Sequence, residues 1–531
     1  MSDKPENLKS TIRPARLPVP RATPNSPFFP QLNRVELATV VCVCLIFLTS
    51  SFYRLNHTDL WGHLSFGRWI VQHQVLPDAE LFAAGNAIEK FTNIPWLAQV
   101  GGYLAFQKFG SEGLILLHVL LVTASFGILM WAATQNSGNQ AWGITAGIVG
   151  YLISWPIIGI IRPQLVGVTL FVLVLLACHQ LRRSWLPVIW LAIIFALWAN
   201  LHGSFLIALG LLGLIALGNS WESFCSSKVA MFSDPLVKRY WLAVLAALVA
   251  AACLNPIGPG LLFEISSFGS TEALGAITEW RPLVLFSVSG SLFFGSLLIT
   301  AVILRFSSRR FTPAEVLLLI AFGILTLSAM RMLIWWALVW PWVMAPHVTR
   351  ISDNWSKAYK PVENNSSKTM RSLIAIGFIF MSILISPSAH ALITGCSRGI
   401  QATTSSETPI HVAEEIRRRK IQGRFFARMD WADYLIWHSH NQVRPMVYTH
   451  VHLLENRVFN DYRRLAQGDN DWFAIAADHQ LDYLILSRAH HRRLWNKVQN
   501  HPQAHLVYED KQCWLMRLEP TEQKKKHPHG E

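Results

Sequence analysis

Long apolar runs dominate the first 400 residues of the chain. About eleven of them approach the roughly 20 residues that an α-helix needs to cross a bilayer. The runs are Val35–Tyr53, Gly113–Ala133, Trp142–Ile161, Gln164–Gln180, Trp185–Ala199, Gly203–Gly218, Tyr240–Leu254, Ser287–Leu304, Pro313–Met330, Met332–Val348 and Ser372–Ile393. Because no water reaches that depth, each run must satisfy its backbone hydrogen bonds within a helix. The pattern predicts an all-α polytopic membrane domain over residues 35–396, with about eleven transmembrane helices.

The two ends of the chain differ from this pattern. Residues 1–34 are dotted with Pro and Arg and predict a disordered cytoplasmic tail, and residues 519–531 form a basic tail. Residues 403–518 are polar, with short apolar runs such as "YLIW", "PMVY" and "DYLIL". Within them, "HVAEEIRRRKI" is typical of an amphipathic helix and "HLVYEDKQCWLMRL" of a β-hairpin. This alternation predicts a small α/β domain.

Positive charge in the connections predicts how the chain is threaded. The strongly basic connections are those that hold Arg182, Lys238, Arg309 and Arg371. All fall on the cytoplasmic side, as the positive-inside rule requires, if the segment Ile94–Phe109 lies along the outer surface and does not cross. This solution places the N-terminus in the cytoplasm. It places the 55–112 loop, with its juxtamembrane helices, and the C-terminal domain outside the inner (plasma) membrane.

Composition agrees with a membrane protein. The chain has 531 residues, 52% of them hydrophobic and 15% charged. The net charge of +14 would suit nucleic acid, but a basic membrane protein carries such an excess in its cytoplasmic loops, so we predict no nucleic-acid partner. The seven cysteines show no zinc-type spacing. Cys396 and Cys513 fall in the same oxidising compartment, and the sequence leaves open whether they pair or stay free.

Polar residues that interrupt the apolar pattern gather on the predicted outer side. They are Asp59, His63, Glu80, Arg162, Asn200, His202, Asn255, Glu279 and Arg331. Ionisable groups near membrane depth are costly and usually line a cavity or a substrate path. Their convergence from distant parts of the chain predicts a functional site at the outer membrane surface.

Each of these residues also has a purely structural explanation. Arg162 and Arg331 can extend to lipid headgroups, and His202 can be a satisfied histidine at the interface. Asp59 stands where it would cap the helix that follows. His63 is four residues further on and therefore lies on the same helical face as Asp59. The sequence leaves both kinds of explanation open.

A carboxylate that faces arginines at a membrane surface suits group transfer from a lipid phosphate. Asp59 is the candidate base that deprotonates an acceptor hydroxyl. The guanidinium groups of Arg162 and Arg331 would hold the phosphate and stabilise its charge as the bond breaks. The other candidate substrate-binding residues are His63, Glu80, Asn200, His202 and Glu279. A nearby histidine could also serve a divalent metal, but no spacing demands one, so no cofactor is certain.

The stretch "DLWGHLSFGRWIVQHQVLPDAELF", followed by "PWLAQVGGYLAFQKFG", resembles the first outer loop of bacterial GT-C glycosyltransferases. These are distant relatives of protein O-mannosyltransferases and of the aminoarabinose transferases of lipid A. "WANLHGSF", "NPIGPG" and "EWRP" are similar to further recurring pieces of this superfamily. The resemblance implies that Asp59 is the catalytic base and that the donor is a polyprenyl-phosphate-linked sugar. Glu80 stands where the second acidic element usually has Asp, and "VYTHVHLLENR" departs from the C-terminal pattern.

These observations favour a membrane glycosyltransferase of the hexosyltransferase type. It would transfer a sugar from a polyprenyl-phosphate donor to a glycan, lipid or protein acceptor of the cell envelope. One alternative is a non-catalytic envelope polysaccharide assembly protein that retains the fold. Another is a solute or lipid transporter, although the chain has neither a repeated half nor a mid-span carboxylate.

Overall fold

The structure is a computed structural model that describes residues 31–56, 58–84, 92–227, 233–268, 277–355, 365–440 and 442–519. Fourteen helices build the N-terminal part of this described chain. They are α1 Arg34–Ser50, α2 Leu60–His73, α3 Trp96–Ser137, α4 Gln140–Ile158, α5 Gln164–Leu181, α6 Leu186–Leu201, α7 Phe205–Ser227, α8 Pro235–Cys253, α9 Gly260–Phe268, α10 Val288–Phe306, α11 Pro313–Ser328, α12 Leu333–Trp355, α13 Asn365–Ile385 and α14 Pro387–Thr394. Nearly all of both predicted tails lies outside the described residues.

Every predicted span overlaps at least one of these helices. Seven helices of the described chain are long and apolar enough to cross a membrane, and α6 and α11 are shorter but also apolar. The two remaining predicted spans coincide with α1 and α12. The last span was predicted too long, because α13 ends at Ile385 and Pro387 begins a separate helix. A proline lacks the N–H that would continue the helical ladder.

The segment predicted to lie along the surface is the first part of α3. Residues 96–109 and 111–137 form two helical stretches, and Gly110 between them has a non-helical backbone with φ 62°. A residue with a side chain is strained in this conformation. Glu112, just after the break, is buried and bonded to Arg398 and to Ser388 of α14. The break thus separates the apolar stretch 111–137 from residues 96–109.

Helix α12 lies in the centre of the main hydrophobic core. Its residues from Leu333 to Ala345 are largely buried, and the core includes side chains of α3, α5, α6 and α7. Two indoles of α12 also donate hydrogen bonds to α10, from Trp336 to Ser296 at 2.8 Å and from Trp340 to Thr300 at 2.7 Å. Buried tryptophans usually find such a partner for the N–H. These bonds fix the register between the two helices.

The C-terminal part folds as the predicted α/β unit. Its elements are α15 Ile400–Thr403, α16 Ile410–Arg418, β1 Gly423–Phe426, α17 Met429–Ser439, β2 Val443–Pro445, α18 Asn456–Gln467, α19 Trp472–Asp478, β3 Tyr483–Ser487, α20 Arg492–Val498, β4 Ala504–Glu509 and β5 Cys513–Leu518. The sheet order is β2-β1-β3-β5-β4, with β1, β2 and β3 parallel and the β4–β5 hairpin antiparallel. Both "HVAEEIRRRKI" and the hairpin segment have the predicted structure. "YLIW" belongs to α17.

The loop after α1 is tied to this C-terminal unit at several points. Leu55 exchanges backbone hydrogen bonds of 2.8 Å with Thr403 and Ser405, and Ala84 donates one of 2.8 Å to Pro445. In addition, α2 packs on α17, with the ring of Trp61 5.0 Å from that of Tyr434. The membrane loop and the C-terminal unit therefore share a core.

The cysteines are all free thiols in this structure, so Cys396 and Cys513 do not pair. Cys396 is exposed in the connection after α14, whereas Cys513 is buried at the start of β5. The alternative of a disulfide between them is therefore wrong, because one thiol lies inside the α/β core and the other on the surface.

Candidate active site

Asp59 and Arg162 are in direct contact at the end of the helical bundle where α2 begins. The Arg162 Nε lies 3.2 Å from the Asp59 carboxylate, and the two terminal nitrogens of Arg162 bind both oxygens of Glu279. Arg162 follows α4, Asp59 precedes α2, and Glu279 lies in a short 3₁₀ turn before α10. The three side chains are only 15–24% exposed. One guanidinium therefore holds two carboxylates from separate parts of the chain.

The structure tests the capping explanation for Asp59. This residue occupies the N-cap position of α2, but its side chain makes no capping hydrogen bond. Its backbone is helical, with φ −48° and ψ −20°, whereas capping residues are usually extended. The carboxylate is directed to Arg162. The capping explanation is therefore wrong for this residue.

Arg331 lies beside this ion pair without joining it. Its guanidinium stacks 4.4 Å from the ring of Trp280 and donates a hydrogen bond of 2.8 Å to the Gln164 side chain. Trp280 and Gln164 are close neighbours in sequence of Glu279 and Arg162. Among the described residues, Arg331 has no carboxylate partner. Its remaining N–H donors are therefore available to an anion.

His63 lies one helical turn beyond Asp59, as predicted. Its Nδ1 is 3.2 Å from the Gln99 side-chain nitrogen, and the Gln99 oxygen in turn accepts a hydrogen bond of 2.7 Å from Asn93. Gln99 and Asn93 are both buried. The first part of α3 therefore supports His63 from one side.

Asn200, in the last turn of α6, and His202, just after it, lie at the same end of the bundle. The Asn200 side chain accepts a hydrogen bond from the Trp96 indole at 3.0 Å and donates to two backbone oxygens. His202 Nδ1 lies 2.8 Å from the Ser204 hydroxyl and accepts the Ser204 N–H. Asn200 thus joins α3 to α6. Substrate-binding roles for both residues stay predictions.

Glu80 joins the loop to the C-terminal domain. Its carboxylate accepts the backbone N–H groups of Phe82 and Ala83 at 2.7–3.0 Å and the Tyr448 hydroxyl at 2.8 Å. Both oxygens of the Glu80 carboxylate therefore accept hydrogen bonds from the protein itself. The predicted substrate-binding role of Glu80 stays a prediction, and the structure gives Glu80 a bridging contact.

Sequence reasoning missed the polar residues that the C-terminal domain brings to the same place. Asp433 of α17 is fully buried, and its carboxylate accepts the backbone N–H of Thr449 at 3.1 Å and the Thr449 hydroxyl at 2.9 Å. His450 follows, with its Nδ1 4.0 Å from Asp433 and its ring 4.8 Å from that of His63. At Gly62 a Cβ would overlap the Asp433 carboxylate. Helix α2 can therefore approach α17 only because Gly62 has no side chain.

The protonation states differ strongly across this small region. Burial alone would raise the pKa of the Asp59 carboxyl, but Arg162 and then His63 outweigh it and hold that pKa below its usual range. Burial lowers the pKa of His63 to about 4 and that of His450 to about 3. Burial raises the pKa of Asp433 to about 8, against the two hydrogen bonds from Thr449. Two carboxyls with opposite shifts are typical of acid–base sites.

A possible metal-binding group lies elsewhere. Asp461, Asp478 and His479 of the C-terminal domain place one ligand atom each within 4.8 Å of one another. However, Arg457 donates to Asp478 at 2.7 Å and Arg464 lies 3.6 Å from Asp461. Since guanidinium groups already neutralise these carboxylates, the residues do not fit a cation well. None of them belongs to the site around Asp59.

Comparisons with known proteins identify the fold. No protein-family model and no curated protein sequence matches the chain. Among solved structures, the apo oligosaccharyltransferase of Archaeoglobus fulgidus is similar with a TM-score of 0.53 and 13% identity, over 85% of this chain and 69% of that one. ArnT from Cupriavidus metallidurans bound to undecaprenyl phosphate gives 0.52 and 13%, over 90% and 97%.

A third similar structure is the arabinofuranosyltransferase AftD from Mycobacteria, with a TM-score of 0.50 and 14% identity over 93% of this chain and 40% of that one. All three are GT-C glycosyltransferases. The predicted GT-C fold, a polytopic helical membrane domain with a small C-terminal α/β unit, is therefore confirmed. At this level of identity the similarity shows the fold alone.

Proposed function

We propose that the chain is a membrane glycosyltransferase. It transfers a sugar from a polyprenyl-phosphate-linked donor to an acceptor of the cell envelope, on the extracytoplasmic face of the inner membrane. The observation that carries this proposal is the arrangement at Asp59: an ionised carboxylate held by Arg162, beside Arg331, whose guanidinium has no described carboxylate partner. A base beside a guanidinium with unused donors suits attack on a phosphate-bound sugar.

Asp59 is the general base in this reaction. Its ionised oxygen takes the proton of an acceptor hydroxyl while the hydroxyl oxygen bonds to the anomeric carbon of the sugar. The bond from that carbon to the lipid phosphate breaks, and its electron pair leaves with the phosphate. Arg162 keeps Asp59 ionised and directed, because it is paired with Asp59 and with Glu279 at once. The proton remains on Asp59 until the product departs.

Arg331 binds the phosphate that leaves. Its planar guanidinium is pre-positioned on the Trp280 ring, 4.4 Å away, and one terminal nitrogen is held by Gln164. This support leaves other N–H donors for phosphate oxygens. Since a new negative charge appears on the leaving phosphate, a fixed cation there stabilises the transition state more than the ground state. Arg162 has less capacity for this role, because two carboxylates already occupy it.

The test is Asp59→Asn, with Asp78→Asn as the matched control. Asp78 belongs to the same loop but is exposed. General-base catalysis contributes about 10²–10⁴-fold, so we expect Asp59→Asn to lower glycan transfer in cells by about 100-fold or more at equal protein level. The control should transfer normally. Undiminished transfer by the Asp59 variant would remove the proposed base and with it this function.

A further inference from the structure

The C-terminal domain presents a buried polar unit to the face of α2 that carries His63. The unit, here called the DTH unit, consists of Asp433, Thr449 and His450. All hydrogen bonds described for the Asp433 carboxylate go to Thr449, one to its N–H and one to its hydroxyl. The unit is not needed to hold the sheet together, because Asp433 lies on α17 and Thr449 after β2. Burying a carboxyl group costs free energy. The described hydrogen bonds of Asp433 fix the turn of chain at Thr449.

That turn directs His450 towards the membrane domain. The His450 ring stacks on Tyr448 at 5.1 Å and meets the edge of His63 at 4.8 Å, with the two planes 77° apart. Phe66, one turn further along α2, lies 5.4 Å from the same ring. His450 itself is only 8% exposed. Its ring therefore fills the space between the C-terminal domain and α2.

His63 is thus held from two sides. Gln99 of α3 bonds to its Nδ1, and His450 covers its ring from the other domain. Without His450, the half-buried His63 would be more exposed to water and its side chain would gain rotamer freedom. A ring one helical turn from the base would then no longer have a fixed position relative to Asp59.

We propose that the C-terminal domain is a working part of the catalytic centre, in which the DTH unit places His450 against His63 and so positions His63 beside Asp59. His450 is a positioning residue, because it acts through His63. The assignment rests on the proposed transferase function for its purpose, although the contact itself can be tested without turnover.

The charged and titratable groups around His63 come from several elements. They are Asp59 of the same loop, Arg162 after α4, His202 after α6, and Asp433, His450 and His452 of the C-terminal domain. Burial is the largest influence on His63 and lowers its pKa to about 4. Exposure to water would therefore return the pKa towards the ordinary value of about 6.5.

The experiment is carbethoxylation of the full-length protein in lipid nanodiscs with diethyl pyrocarbonate, followed by peptide mass spectrometry. The reagent attacks neutral imidazole, so the rate at each histidine reports both exposure and protonation. In the wild-type chain we expect a rate at His63 that is nearly constant from about pH 5 to pH 8. In His450→Ala we expect a rate at least threefold higher at pH 8, with a fall below about pH 6.5.

Companion variants separate positioning from general damage. His450→Phe keeps a ring and should protect His63 as the wild type does. Asp433→Asn retains an acceptor for Thr449 and should be near normal, whereas Asp433→Ala should resemble His450→Ala. The control is His411→Ala on α16, a residue whose side chain is 59% exposed. It should change nothing at His63. Buried His491 reports whether the domain stays folded.

Two results would overturn the assignment. One is an unchanged rate and pH profile at His63 in His450→Ala. The other is a His450→Phe protein in which His491 stays protected but His63 reacts as fast as in the alanine variant. If His450→Ala also unfolds the domain, the phenylalanine variant alone decides. Since none of these readouts needs turnover, failure of the transferase proposal at Asp59 would be seen separately.

Discussion

Two partly buried clusters of acid, arginine and histidine lie at opposite ends of the helical bundle. At one end Arg162 pairs with Asp59 and Glu279, with Arg331 and His63 close by. At the other end Glu315, the first-turn acid of α11, pairs with Arg309 at 2.8 Å and with His347 at 3.4 Å. From composition alone the two clusters look equivalent.

They differ in how completely their groups are satisfied. Glu315 also accepts the Thr312 N–H in a capping box, and Arg309 lies 2.9 Å from His347 Nε2, the ring nitrogen that also faces Glu315. The His347 ring is fully buried and stacks on Phe311 at 3.9 Å. Protein groups therefore satisfy the charges of this cluster, and the capping box accounts for the start of α11. The Asp59 cluster balances two guanidinium groups with two carboxylates, but Arg331 has no described hydrogen bond to an acid. Its unused N–H donors mark a ligand site better than a fully bonded ion pair does.

The largest expected difference concerns Arg331 and Arg309. Arg331→Ala removes the free cation, so we expect transfer to fall about 100-fold, in line with the loss of one oxyanion donor, with little change in unfolding. Arg309→Ala should leave transfer per folded molecule unchanged but lower stability. Both variants would be assayed for glycan product and for thermal unfolding in nanodiscs. Equal effects of the two variants on transfer would contradict the contrast drawn between the clusters.

Substitution of Glu279 and Glu315 should give smaller effects, on transfer in the first case and on stability in the second. Glu279→Gln weakens a charge-assisted grip on Arg162, and we expect roughly tenfold slower transfer, equivalent to about 1.4 kcal/mol in the barrier. Glu315→Gln leaves buried donors less well satisfied and should lower the free energy of unfolding by about 2 kcal/mol, with transfer preserved. Denaturant titration and the cellular transfer assay measure the two quantities. A transfer defect only in the Glu315 variant would reverse the assignment of the clusters.

The smallest expected effect is a pH dependence of stability that comes from Asp433, in the C-terminal domain beside α2. The folded-state pKa of Asp433 is about 8, above its ordinary 3.8, so between these values the folded state binds the extra proton. Its contribution to stability is full below about pH 4 and is lost as the pH rises to about 8. Asp433→Asn should flatten this fall and melt higher than the wild type at pH 8.

Near-ultraviolet circular dichroism can follow that transition in the C-terminal domain. Trp495 and Trp514 stack there at 4.1 Å with nearly parallel planes, and this pair contributes to the near-ultraviolet signal. Identical slopes of melting temperature against pH in the two proteins would show that Asp433 does not hold an extra proton in the folded state.

Much of this architecture follows from the sequence, because apolar runs at membrane length leave the backbone only one option. The same holds for the meeting of Asp59, Arg162 and Glu279, since the parity of the spans brings their loops to one side. The end of α13 was misjudged, because a run of apolar residues conceals the stop that Pro387 imposes. Hydropathy averages over such single positions.

The DTH unit was beyond sequence reasoning for a physical reason. Asp433 lies in "DWADYLIW", where its burial depends on α2 packing across from it, and no local pattern reveals a partner 370 residues away. One signal was present, since an acid within an apolar helical face needs a hydrogen-bonding partner. Gly62, between the candidate residues Asp59 and His63, was a second signal of close packing.

The bonds between Leu55 and residues 403–405 also bear on biosynthesis. A ribosome synthesises the chain from its amino end, so the loop that holds the proposed base emerges long before the segment with which it pairs. Until then the histidine beside the base has no cover, and long-range contacts of this kind form late in folding. Molecules truncated before residue 403 would therefore lack the contacts that complete the proposed site.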